Sequence, residues 1–220
     1  MVFIGMMGVV STEGVSYPKD YLRFEGYVDY YKNTIDMIGI ISNNYDGYIS
    51  AIENVMQQNN NIRDSAAHVE NDVLYIDILA YDSGRDMGRD LTTLAFAGFV
   101  QAVKQTDVNA LVFTRVGDYD NSICTFHANK VLAQDALINQ NNSTQTALDI
   151  EKFSDTSQCK ARATMTTGNY IGNTQTRVYH NPSCLWAQMI LPENLIGFSS
   201  SGEAVSNGYR PCEKCNPPTS

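Results

Sequence analysis

His180-Asn181-Pro182-Ser183-Cys184, then 27 residues, then Cys212-Glu213-Lys214-Cys215 is the stretch from which the chain is best read. Three of the five cysteines and one of the three histidines fall inside it. A His-x₃-Cys pair followed by a Cys-x₂-Cys pair is the donor set of a closed tetrahedral zinc site, with three thiolates and one imidazole. Donors two or three residues apart reach one ion from a single turn, so each pair forms a jaw and the chain between becomes a loop. The competing reading is a chance cluster of buried or disulfide-bonded cysteines. The turn-forming setting of the second pair, Arg210-Pro211-Cys212-Glu213-Lys214-Cys215-Asn216-Pro217-Pro218, favours the metal knuckle. His180, Cys184, Cys212 and Cys215 are therefore expected to hold one structural Zn²⁺.

Working outward, 220 residues accommodate one ordinary domain and a small module. A hydrophobic content of 43% and a charged content of 18% exclude a disordered chain. The net charge of −9 is uneven: there are 10 Lys/Arg against 21 Asp/Glu up to residue 159, and 5 against 3 from Lys160 onward. An acidic body is a poor non-specific phosphate binder and leaves only the tail open to that role. Zinc thiolates load in the reduced state, which points to a cytoplasmic protein. The apolar opening Met1-Val2-Phe3-Ile4-Gly5-Met6-Met7-Gly8-Val9-Val10 points the other way, to the end of an export signal or membrane anchor. It is about half the length of a bilayer span, so no transmembrane segment is expected in the chain as given. Cys124 and Cys159 are left over, and their spacing does not require that they pair.

The body reads as α+β. Residues 1–20 form an apolar, irregular lead. From about Tyr27 to Gln58, apolar residues recur three or four apart (Ile35, Ile38, Ile41, Tyr45, Tyr48, Ile49, Ile52, Val55), predicting a helix that kinks or splits near Ser42-Asn43-Asn44. Val73–Tyr81 is a central strand apolar on both faces, and Arg85–Gln105 an amphipathic helix. Ala110–Val116 and Ser122–Asn129 are strands joined by a turn at Gly117–Asn121, and Lys130–Asn139 continues as helix. The order predicts a small sheet with helices on one face, the body spanning 21–139. Residues 140–167, rich in Asn, Ser, Thr and Gln, read as a polar linker to a module over 168–218.

No residue set marks the body as an enzyme. Gly84-x-x-x-Gly88 lacks the remaining residues of a phosphate loop. Cys124 and His127 are three apart on a strand and so face opposite ways. His68 sits in a polar segment and reads as a surface residue. An unidentified enzyme or ligand sensor in the body stays as an alternative.

The tail supports a more specific comparison. Gly168-Asn169-Tyr170-Ile171-Gly172, Val178-Tyr179-His180-Asn181-Pro182-Ser183-Cys184, Ile196-Gly197-Phe198, Glu203-Ala204 and Gly208-Tyr209-Arg210-Pro211-Cys212-Glu213-Lys214-Cys215 resemble the metal-binding domain of the Ada DNA-repair family. The resemblance covers about residues 165–218 and implies a small zinc-binding α+β module. In that family the first ligand is the cysteine that accepts a methyl group from a DNA phosphotriester; here that position is His180. A zinc-bound imidazole nitrogen has no lone pair left for attack, so the resemblance implies the fold without methyl-acceptor activity. It also implies DNA or another protein as a partner, with Arg177, Arg210 and Lys214, joined by Lys160 and Arg162, as candidate phosphate contacts. The residues themselves add a capping box at Ser200-x-x-Glu203, a two-turn helix over Ser201–Asn207 closed by Gly208, and a small core. That core is expected from Tyr170, Val178, Leu185, Trp186, Ile190, Leu195, Ile196, Phe198 and Tyr209. Packing is the expected role of Trp186, with base stacking as the alternative.

Overall fold

The computed structural model describes residues 17–40, 44–81, 85–117, 122–161 and 168–219, and every statement of absence below refers to these. The apolar opening, Arg162, the turn at 118–121 and the Gly84 end of the glycine pair lie outside them. Helix α1 (Tyr17–Ile38) and helix α2 (Tyr45–Gln57) realise the expected split. Asn44 caps α2, its side chain accepting the Gly47 N–H at 3.1 Å. Helix α1 begins ten residues before the expected Tyr27, inside the stretch read as an irregular lead.

The body continues as β1 (Ile62–Glu70), β2 (Val73–Ala80), α3 (Arg85–Gln105), β3 (Ala110–Gly117), β4 (Ser122–Asn129), α4 (Lys130–Ile138), α5 (Ser143–Asp155) and β5 (Gln158–Ala161). The sheet runs in sequence order from β1 to β5. Only β2 and β3 are parallel, as expected where a helix connects them; the other neighbours are antiparallel. The residues read as a polar segment before β2 are strand β1. Its signal is the turn rather than the strand: Asn71 and Asp72 both take positive φ (50° and 59°), the backbone of a two-residue hairpin. The 140–167 linker is likewise corrected. Helix α5 buries Thr146, Ala147, Ile150 and Phe153 at helical spacing, and β5 adds a strand to the body. Its inward face is half polar, which hid the periodicity: Asp149 is fully buried and accepts from Asn139 Nδ2 at 3.0 Å, Gln145 Nε2 at 3.3 Å and Lys152 Nζ at 2.8 Å.

One face of the sheet packs on the helices. Leu74, Ile76 and Ile78 of β2, Leu111 and Phe113 of β3, and Phe126 of β4 meet α1, α3 and α5 in one core. Aromatic rings link the layers: Phe113 lies 5.5 Å from Phe126, Phe126 5.8 Å from Phe153, Phe153 5.0 Å from Phe96, and Phe96 5.9 Å from Phe24. Gly98 of α3 lets α1 approach closely, since a Cβ there would sit 2.9 Å from the Tyr31 ring. No helix is long and apolar enough to cross a membrane.

The opposite face carries the C-terminal module at one end. The module comprises β6 (Tyr170–Asn173), β7 (Val178–His180), α6 (Leu185–Gln188), a 3₁₀ turn (Pro192–Asn194), β8 (Leu195–Phe198), α7 (Ser201–Ser206) and β9 (Arg210–Pro211). Its sheet has the order β8-β6-β7-β9, with β7 and β9 parallel. Leu79, Val116 and Ile123 of the large sheet form an apolar patch, closed by Leu185 with Met189 and Leu191 of the module.

Candidate metal centre

The four candidate donors come from two chain crossings that β7 and β9 hold side by side. Tyr179 is in register with Pro211, and Cys212 N–H donates to Tyr179 O at 2.9 Å, so His180 and Cys212 emerge at the same end of the pair. Cys184 follows His180 through a turn closed by Cys184 N–H to Asn181 O at 3.0 Å, and it caps α6. Cys215 is placed by the turn Cys212–Asn216, in which Asn216 N–H reaches Cys212 O at 2.9 Å. Asn216 takes a positive φ of 40°, a conformation asparagine tolerates better than most residues.

The Nδ1 or Nε2 of His180 and the Sγ atoms of Cys184, Cys212 and Cys215 all lie within 4.8 Å of one another. His180 Nδ1 stands 3.7 Å from Cys184 Sγ. Tetrahedral zinc with bonds of about 2.0–2.3 Å separates its donors by roughly 3.3–3.8 Å, so the residues fit the ion. Three of the four donors are buried and Cys215 is half-buried. Burial lowers the His180 pKa to about 4, which keeps the imidazole neutral and its lone pair available. Burial first, then the hydrogen bond with Cys215, pushes the Cys184 thiol up to about 12. Desolvated thiolates of this kind need a cation among them, which a divalent metal supplies. Asn181 provides outer support: its backbone N–H points at Cys215 Sγ (3.4 Å) and its Nδ2 donates to Cys215 O (3.1 Å). Zinc here would be held by His180, Cys184, Cys212 and Cys215, filling all four positions with protein donors.

The small core around the site is partly the expected one. Ile171, Val178, Ala187 and Ile190 pack behind the donors, while Tyr179, Phe198, Ala204 and Tyr209 form a second cluster. Leu185 departs from expectation: it is fully buried, but against the body's Leu79, Val116 and Ile123. Trp186 is 37% exposed and edges a groove of about 490 Å³ with Asn173, Thr176, Arg210 and Lys214, whose floor includes His180 and Cys212. The Ser200 cap is formed, its Oγ accepting Glu203 N–H at 3.1 Å, and Gly208 closes α7 at φ +80°.

Of the five candidate phosphate contacts, Arg162 lies outside the described residues, Lys160 lies on β5 of the body, and Arg177, Arg210 and Lys214 are not brought together as free cations. Lys214 Nζ lies 3.1 Å from Asp64 Oδ1 and donates to Ser65 O at 2.6 Å, fastening the module to β1. Arg210 Nη1 is 3.5 Å from Glu213 Oε1 at the surface. Arg177 stands apart from the groove, its guanidinium 5.1 Å above the Tyr209 ring. Nothing in the sequence marked Lys214 or Leu185 as docking residues, beyond each lying next to a metal donor.

Away from the metal, His68 stacks on Tyr75 (4.7 Å between centroids) on the sheet face that the module shares. Cys124 and Cys159 are disulfide-bonded, which the sequence left open. Residues 156–218 match the family described as the metal binding domain of Ada. No curated protein and no solved structure matches the chain.

Proposed function

We propose that this chain, with its Ada-type metal-binding domain at residues 156–218, is a non-enzymatic zinc-binding protein. Its tail is a structural and recognition module without methyl-acceptor activity. One observation carries the reading: a buried His180 stands first in a donor set whose four members lie within 4.8 Å of one another. A site closed by four protein donors leaves no position for water or substrate, which is the pattern of structural zinc. His180 supplies no nucleophile, and the three thiolates are engaged as ligands.

Leu185 and Lys214 hold the module on the body. The groove beside Trp186, which Lys214 also lines, is open to a protein partner. Metal content by mass spectrometry should give one zinc per chain. Incubation with DNA carrying methyl phosphotriesters should leave all cysteines unmethylated; a methylated Cys184, Cys212 or Cys215 would overturn the reading.

DNA binding is the second reading, favoured by the position of Arg210 and Trp186 on one groove. Against it stand the engagement of Lys214 by Asp64 and the acidic body. Gel shifts with duplex DNA across a salt series test it: binding that weakens steeply with salt supports DNA binding, and no shift at low salt removes it.

A further inference from the structure

We propose that the Cys124–Cys159 disulfide is an exchange site for a low-molecular-weight thiol, attacked at Cys159 and opened toward Cys124. The two cysteines face each other across the β4–β5 pair. Their environments differ sharply. Cys159 lies on β5, whose four residues are all exposed, whereas Cys124 is 1% exposed and belongs to the body core. Cys159 is therefore the side of the bond that an incoming thiolate approaches from solvent, since its residue is exposed and Cys124 is not.

The buried sulfur has the surroundings of a leaving group. Arg115, its register partner on β3, donates Nη2–H to Cys124 Sγ at 3.8 Å, and Ser122 Oγ lies 3.5 Å from the same sulfur. The guanidinium has a place made for it: a Cβ on Gly88 of α3 would come within 2.2 Å of Arg115 Nη1. The guanidinium beside the sulfur favours its departure as a thiolate, against the cost of leaving that charge buried.

The step balances without an external oxidant. The thiolate sulfur forms a bond to Cys159 Sγ, the Cys159–Cys124 bond breaks, and its electron pair departs on Cys124 Sγ beside Arg115. The products are a mixed disulfide on Cys159 and a Cys124 thiolate, which can attack back and expel the thiol. Because β5 is the edge strand of the body's sheet and pairs with β4 alone, exchange releases the covalent tie on the body's last strand, near the start of the segment that matches the zinc domain.

The test uses the full zinc-loaded chain and reduced glutathione, quenched by alkylation in denaturant and mapped by peptide mass spectrometry. Glutathione should appear on Cys159 and the alkyl label on Cys124. Arg115→Met should slow the exchange about tenfold. Should that variant fail to fold, Cys124→Ser and Cys159→Ser with oxidised glutathione serve instead. Cys159 should then react at least about tenfold faster than Cys124. Adducts on Cys124, equal rates in the two serine variants, an unchanged rate in folded Arg115→Met, or no adduct at millimolar glutathione would each overturn the proposal.

Discussion

At the scale of single residues, the metal donors and one buried acid make opposite demands on the fold. His180, Cys184, Cys212 and Cys215 cluster with little water around them, which is favourable only with a cation present. Structural zinc supplies on the order of 10–16 kcal/mol of binding free energy in small modules, which a domain of this size needs beside its small core. Cys212→Ser should abolish the bound zinc and make residues 168–219 protease-sensitive, while the body's fragments stay protected. Survival of the tail in that variant would contradict a structural role for the metal. Asp77 is the other case. It is buried on the module-facing side of β2, and burial raises its pKa, with a Thr114 hydrogen bond, His68 and Lys214 acting against that. A carboxyl whose folded pKa is raised binds its proton more tightly in the native state, so its ionisation costs stability as pH rises through the raised value. Asp77→Asn should accordingly raise the thermal midpoint at neutral pH, with the gain vanishing at pH values below the ordinary carboxylate range. A gain that grew toward acid would reverse this sign.

At the scale of elements, close helix contacts and caps do most of the positioning. Helices α1 and α3 touch at Gly98, where a methyl group would meet the fully buried Tyr31 ring. Gly98→Ala should cost roughly 1–3 kcal/mol in denaturant unfolding, despite the higher helix propensity of alanine. A stabilised variant would mean that the ring moves aside freely. In the module, Ser200 is the N-cap of α7, and Glu203 reaches back to Ser199 N–H at 2.7 Å. Ser200→Ala should lower the module's stability by about 1 kcal/mol, seen as faster amide exchange in residues 201–206. Elements with conventional inner faces were legible from sequence: β2, α3, β3 and β4 fall within a residue of expectation. Helix α5 was not, because Thr146 and Asp149 occupy inward positions where a periodicity argument looks for apolar residues. Strand β1 was not either, since Ile62-Arg63-Asp64-Ser65-Ala66-Ala67-His68 has little of the composition of a strand and is held by its partner β2.

At the scale of the whole molecule, the module and the body meet through residues adjacent to the zinc donors. Leu185 follows Cys184 and fills the patch of Leu79, Val116 and Ile123; Lys214 precedes Cys215 and binds Asp64 and Ser65. Burial of Leu185 contributes on the order of 2 kcal/mol, more than the half-exposed Lys214–Asp64 pair at about 1 kcal/mol or less. Leu185→Asp should therefore undock the module without emptying it: zinc content unchanged, but deuterium uptake raised around residues 79, 116 and 123. Loss of zinc in that variant would show that docking and metal binding form one unit. By itself the sequence determined the donors and the kind of ion they suit, because ligand chemistry is set by residue type and short spacing, which survive in a one-dimensional reading. It also determined the α+β class, since hydrophobic period is local. Only the tertiary structure decided that Cys124 meets Cys159, that Leu185 faces the body, and that Lys214 is tied to β1. Each of those depends on which distant surface a residue meets, and that is fixed by strand register and sheet order rather than by neighbours along the chain.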